Sequence, residues 1–129
     1  MRHKRITSGG VWEPRIGYCR AVVAGNMLEI SGTTSATTDG MILGKDDPFE
    51  QTRAILDKFG QIMSEAGFSW KDVVRTRMYL TNIEHWEAVG RAHAVFCGDH
   101  PPAATMVEVS RLIHPDMLVE IELSAVKTE

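Results

Sequence analysis

Cysteine is nearly absent from this chain: Cys19 and Cys97 are the only two in 129 residues, far apart and outside any Cys-x-x-Cys pattern. That excludes a disulfide framework or a thiolate zinc site and suggests two free thiols. Histidine is no better arranged for ligation. His3, His85, His93, His100 and His114 never stand four apart, so no metal site is expected. Long apolar runs are missing too, each being broken by a charge well short of the roughly 20 residues a membrane span needs. The start, Met1-Arg2-His3-Lys4-Arg5-Ile6, is basic, yet no signal-peptide core of about 7–15 apolar residues follows it. A cytoplasmic protein with no membrane partner is the expectation. Positive charge is not in excess, with 14 Lys and Arg against 17 Asp and Glu and a net charge of −3. That is the wrong sign for a protein whose main partner is a phosphate backbone, so nucleic acid is not an expected partner.

What is present is an ordinary globular composition, 43% hydrophobic and 24% charged, in a length suited to one domain over residues 1–129. Ile6 to Ser8 is read as a short strand, and Ser8-Gly9-Gly10 with Glu13-Pro14 as a loop. Tyr18 to Val23 and Met27 to Ser31 form a hairpin about Ala24-Gly25-Asn26. Asp39-Gly40 marks a turn before Met41-Ile42-Leu43. A helix then starts with Asp47 as N-cap, Pro48 at its first position and Glu50 completing a capping-box spacing. Its stripe is Phe49, Thr52, Ile55, Leu56, Phe59, Ile62, Met63 and Ala66, and Gly67 ends it. Asn82 is expected to cap a second helix to Cys97 with Ile83, Trp86, Val89, Gly90, His93, Phe96 and Cys97 inward, stopped by Gly98 and His100-Pro101-Pro102.

Three further runs are strands, and their alternation divides them into two faces. Val119, Ile121, Leu123 and Ala125 oppose Glu120, Glu122 and Ser124; Val74, Met78 and Leu80 oppose Arg75, Arg77 and Tyr79; Ala104 to Val109 is the third. The order β-β-β-α-β-α-β-β predicts an α+β fold, a mixed β-sheet with both helices packed on one face. The other face is expected to carry Arg75, Arg77, Tyr79, Glu108, Glu120 and Glu122 among Val22, Ala104 and Met106, a mixed surface suited to burial against sister subunits.

Ile16-Gly17-Tyr18, Gly25-Asn26-Met27, Ile30-Ser31-Gly32, Gln51-Thr52-Arg53, Ala66-Gly67, Asp72 to Thr76, Pro102-Ala103, Val107-Glu108-Val109 and Val119 to Glu122 together resemble the pattern of the YjgF-like, or Rid (reactive intermediate deaminase), family over nearly the whole chain. The resemblance implies a chorismate-mutase-like fold, a homotrimer and small-molecule pockets at subunit interfaces. It also implies hydrolysis of reactive enamines and imines to 2-oxo acids and ammonia without a cofactor. In such a site an arginine grips the substrate carboxylate and a carboxylate orients water. By resemblance Glu120 takes the second role, with Tyr18, Ser31, Gly32 and Gly90 lining the pocket and Ala104, Thr105 and Met106 its floor.

The sequence departs from that pattern where it matters. The archetypal arginine after Pro-Ala is Ala104, the small or thiol residue two positions on is Met106, and a pocket asparagine corresponds to Gly90. A methyl group cannot replace a guanidinium, which argues against one substrate class rather than against chemistry. Arg77 and Arg91 are the candidate substitute cations, although Arg91 is read first as a surface partner of Glu87 and Arg77 as a partner of Glu120, Glu122 or Glu108. His93 is expected to be a hydrogen-bonded core residue, Cys19, Trp12 and Trp86 to serve packing, and Trp12 also to suit a pocket mouth. Three functions compete: an imine or enamine hydrolase, a non-catalytic trimer binding a small metabolite, and, with least support, an RNA-acting translation inhibitor or ribonuclease.

Overall fold

The structure, a computed structural model, describes residues 2–128. In chain order these form β1 (Lys4–Ile6), α1 (Trp12–Ile16), β2 (Ala21–Ala24), β3 (Met27–Thr33), α2 (Pro48–Ala66), β4 (Val73–Leu80), α3 (Trp86–Cys97), β5 (Ala103–Glu108) and β6 (Val119–Val126). The strands make one mixed sheet in the order β1-β2-β3-β6-β4-β5. β4 and β5 run parallel, as a crossover through α3 requires, and the other neighbours are antiparallel. The expected order of strands and main helices is thus observed, with one addition: the loop read around Glu13-Pro14 contains the short helix α1. Proline in a first helical turn forfeits no intrahelical bond, so Pro14 does not prevent it. Among the described residues no helix is long and apolar enough to cross a membrane.

α2 begins and ends as its sequence dictates. The Asp47 carboxylate accepts the Glu50 N–H at 3.0 Å, Pro48 is the first helical residue, and Gly67 closes the helix at φ 84°, where a side chain would be strained. The capping box is only half formed, because the Glu50 carboxylate is taken by Arg53 at 2.8 Å. Ile55, Leu56, Phe59 and Met63 are buried together with Leu28 and Ile30 of β3, Met78 and Leu80 of β4, Val89 of α3, and Val119, Ile121, Leu123 and Ala125 of β6. Gln51, outside the expected stripe, is fully buried as well. Its amide donates to the carbonyls of Gly44 (3.2 Å) and Asp116 (2.8 Å), and its oxygen accepts the Leu118 N–H (2.9 Å), tying the first turn of α2 to the approach to β6.

Three local expectations fail for identifiable reasons. Val74 is exposed rather than inward, because Val73 pairs with Ala125 and Arg75 with the adjacent Ser124, leaving Val74 as the extra residue of a bulge. Ile83 and Trp86 are exposed and Ala92 is buried, because Asn82 caps a 3₁₀ turn (Ile83–His85) and the helical phase starts only after it. Ala104, Met106 and Glu108 stand on the helix-covered side of the sheet, since they pair with Thr76, Met78 and Leu80. Alternation alone could not reveal that phase on an edge strand with little burial on either side.

On the open side arginines do meet glutamates. Arg77 lies opposite Glu122, with Nη1 3.5 Å from Oε1, and the Tyr79 hydroxyl donates to the same oxygen at 3.1 Å. Arg75 donates to Thr105 Oγ1 at 2.5 Å, and Ser124 donates to Glu29 at 2.6 Å. Met27 and Val107 are exposed on this same side.

Candidate functional site

The site grows from an irregularity in the sheet. β3 pairs with β6 through Ile30 and Leu123, then through Thr33 and Ile121, so β3 carries one residue more than its partner at Ser31-Gly32. Such bulges re-aim side chains. Here Ser31 turns to the Cys19–Arg20 segment, its N–H bonding the Arg20 carbonyl (2.9 Å) and its hydroxyl the Cys19 carbonyl (2.7 Å). Gly32 is left facing Glu120, and the fit leaves no room for a side chain: a Cβ there would overlap Glu120 Oε2 outright and stand 3.1 Å from its Cδ. Glu120 is half-buried on β6, beside Tyr79 of β4. Burial pushes its carboxyl above the usual carboxylate range and Glu122 adds to this, while the Arg20 guanidinium opposes it.

Arg20 braces the bulge. Its Nη1 donates to the Gly32 carbonyl (2.7 Å) and to Thr33 Oγ1 (2.8 Å), its Nη2 donates to the Tyr18 hydroxyl (3.2 Å), and Nε lies 3.6 Å from Glu13 of α1. Glu13 is itself buried and accepts the Ser8 N–H and hydroxyl, so its charge is compensated from two sides. From α2, Lys58 reaches across to the loop after β3 and donates to the carbonyls of Thr34 and Ala36, both at 2.7 Å. Burial, and secondarily the nearby Arg20, lower its amine to about 8.

These groups share one cleft of about 770 Å³. Its polar side is Ser31, Gly32, Glu120, Arg20 and Lys58; its apolar side is Trp12, Ile16, Ile62, Ile113 and Met117. A half-buried carboxylate facing apolar walls and fixed cations can hold a small polar molecule and a water in defined positions.

Residues 11–127 match the family model described as endoribonuclease L-PSP. The fold superposes with a TM-score of 0.88 on a crystal structure of a member of the YjgF/YER057c/UK114 family from Mycobacterium tuberculosis, 39% identical, with 98% of this chain and 100% of that chain covered. The chain belongs to the YjgF family. It is also 35% identical to a Streptomyces coelicolor protein described as uncharacterized, over 95% of this chain and 90% of that one. To a 3-aminoacrylate deaminase, RutC, of Acinetobacter baylyi it is 30% identical, over 94% and 95% respectively.

Of the positions singled out by resemblance to the YjgF family, Tyr18, Ser31, Gly32 and Glu120 meet in the cleft. The others lie elsewhere on the chain. Ala104, Thr105 and Met106 are on β5, two strands from Glu120. Gly90 is on α3, where a Cβ would meet nothing within 4 Å. Arg77 is engaged with Glu122, which also borders the cleft. Arg91 makes no ion pair with Glu87 among the described residues; its guanidinium lies over the Phe49 ring, 5.7 Å from the centroid, exchanging a solvated pairing for an aromatic face. His93 is half-buried and bonded to Thr76 Oγ1 at 2.9 Å, as a core histidine should be, and burial lowers its pKa. Trp12 lines the cleft, whereas Trp86 packs against little. The cations actually in the cleft, Arg20 and Lys58, went unread. Arg20 carried one signal, its spacing of two from Tyr18 in an extended segment; Lys58 carried none, since a lysine beside a helical stripe is usually solvated.

Proposed function

We propose that this YjgF-family protein is a homotrimer that hydrolyses small imines or enamines in the Glu120 cleft. The observation that carries the reading is the carboxylate seated in the gap left by Gly32, half-buried and within a cleft that also holds two cations. Glu120 accepts a hydrogen bond from a water and aims it at the C=N carbon. The water oxygen bonds to that carbon, the π electrons move to nitrogen, and the water proton passes by way of the carboxylate to the nitrogen. The resulting carbinolamine collapses to a carbonyl and releases ammonia. Each step needs only a group that shuttles one proton near neutral pH, which a carboxyl held above its usual range does better than a solvated one.

The trimer is supported by the open side of the sheet, where Arg75 and Arg77 are bonded to neighbouring strands and Met27 and Val107 are exposed apolar residues. In such an assembly the β5 edge of a second copy would bring Thr105 and its neighbours toward a Glu120 cleft they do not reach within one chain. The deaminase name of the Acinetobacter relative favours the same chemistry. An RNA-acting role has less support, because the net charge is negative and Arg20 is occupied by the bulge and Glu13.

The test is the decay of a 2-imino acid generated by an amino-acid oxidase, with and without the protein and its Glu120→Gln variant. Acceleration that the variant loses is the expected result. No acceleration by the wild type leaves metabolite binding as the function. Light scattering should give about three times the 14.3 kDa chain mass; a monomer sinks the interfacial part of the proposal.

A further inference from the structure

The cleft contains a cation that neither the family resemblance nor the sequence points to. Lys58 is anchored from below by two backbone carbonyls, Thr34 O and Ala36 O, each 2.7 Å from Nζ. An ammonium has three N–H donors, so one is left over. No carboxylate lies within ion-pair distance of Nζ among the described residues, although Glu120 and Glu122 border the same cleft. Arg20, the other cation there, already has a counter-charge: it faces the buried Glu13 carboxylate at 3.6 Å while its guanidinium bonds Gly32, Thr33 and Tyr18. Lys58 is therefore the cleft cation without a carboxylate partner among the described residues, with one N–H to spare and its ammonium held by two bonds, so that little side-chain entropy remains to be lost on binding.

We propose that Lys58 is the anion anchor of the cleft, binding the carboxylate of a small ligand whose apolar substituent lies against Ile62, Ile113 and Met117. This rests on the cleft reading given above and assigns the residue that holds the ligand's carboxylate. The anchor enters from α2 within the same chain rather than from β5. Because the ammonium is a point charge rather than a planar fork, it fixes the distance of the carboxylate but not its roll, so the cleft accepts several side chains and discriminates weakly among them.

The experiment uses 4-methyl-2-oxopentanoate, the hydrolysis product of one such imine, and its primary amide as a neutral analogue, titrated calorimetrically at about pH 7. The wild type binds the carboxylate roughly tenfold or more tighter than the amide, the factor for a charge-assisted hydrogen bond. Lys58→Met abolishes that preference while leaving amide binding nearly unchanged, and Lys58→Arg, which keeps donors for the loop carbonyls, retains most of it. A wild type that does not prefer the carboxylate overturns the proposal. So does a Lys58→Met protein, folded by its melting curve, that keeps the preference; if Lys58→Met unfolds, Lys58→Gln, which keeps an N–H donor for the loop carbonyls but no charge, must lose the preference, and its retention there overturns the proposal. Preference without imine hydrolysis leaves the anchor standing and removes the catalytic reading. Hydrolysis with KM unchanged in Lys58→Met does the reverse.

Discussion

Replacing Gly32 by alanine tests the central geometry of the cleft. Gly32 does not occupy the left-handed region, so the backbone accepts alanine and the cost is steric. The new methyl would overlap Glu120 Oε2 and crowd Cδ at 3.1 Å and Cγ at 3.4 Å. Overpacking of a rigid core costs about 1–3 kcal/mol, but the obstruction here is the end of a flexible side chain, whose off-rotamer displacement costs about 0.5–1.5 kcal/mol. A loss of about 1 kcal/mol follows, and for 129 residues at about 2.1 cal/mol/K each this lowers Tm by about 4 °C. Catalysis should suffer far more, since a reacting group displaced by about 1 Å costs on the order of 100-fold. The deciding assay is a double-mutant cycle on thermal stability with Glu120→Ala. With the carboxylate gone, Gly32→Ala should cost nothing or stabilise slightly. An equal loss in both backgrounds refutes the contact and with it the positioning of Glu120.

Arg20→Ala should be the most destabilising single change near the cleft, by about 3 kcal/mol or more, because it leaves Glu13 buried without its cation; denaturant midpoints measure this, and a loss under 1 kcal/mol would mean that Ser8 alone satisfies Glu13. The sign for Glu120 can be worked out from its raised pKa. The folded state holds the proton more tightly than the unfolded one, so stability is lost as pH rises through the carboxylate range. Glu120→Gln should therefore melt higher than the wild type at about pH 7 and at the same temperature near pH 3, where both forms are neutral; a lower melt at pH 7 would show that the attraction of Arg20 outweighs burial. Gly90→Ala should stabilise α3 by about 0.5–1 kcal/mol, the helix-propensity difference, without loss of imine hydrolysis unless a second copy brings ligand to that position.

The fold was legible because its signals are local and agree with one another. Asp47-Pro48 and Gly67 bound α2, the stripe between them sets its buried face, and the alternation from Val119 to Ala125 sets the face of β6. Two of the failures depend on a register that no single segment encodes, and the third on a 3₁₀ turn that delays the phase of α3. The bulge at Val74 arises from how β4 meets β6, and the phase of Ala104, Met106 and Glu108 from how a parallel edge strand lies beside β4. The cleft was half legible. Tyr18, Ser31, Gly32 and Glu120 were found through the family pattern, whereas Arg20 and Lys58 act through backbone carbonyls of the bulge and of the following loop, whose positions alternation does not predict.

The strand at the middle of the sheet is the last of the six to be made. β6 pairs with β3 on one side and β4 on the other, and 46 residues must be added after Leu80, the end of β4, before Val126, the end of β6, is made. At roughly 5–20 residues per second, the ribosome leaves β3 and β4 each with a bare hydrogen-bonding edge for several seconds. During that interval Leu28, Ile30, Met78 and Leu80 have no central partner, and the nascent chain is open to pairing with strands from its neighbours. Slower translation across residues 81–118 would lengthen that exposure, so the yield of folded protein should respond to synonymous changes there while leaving the finished protein's stability untouched.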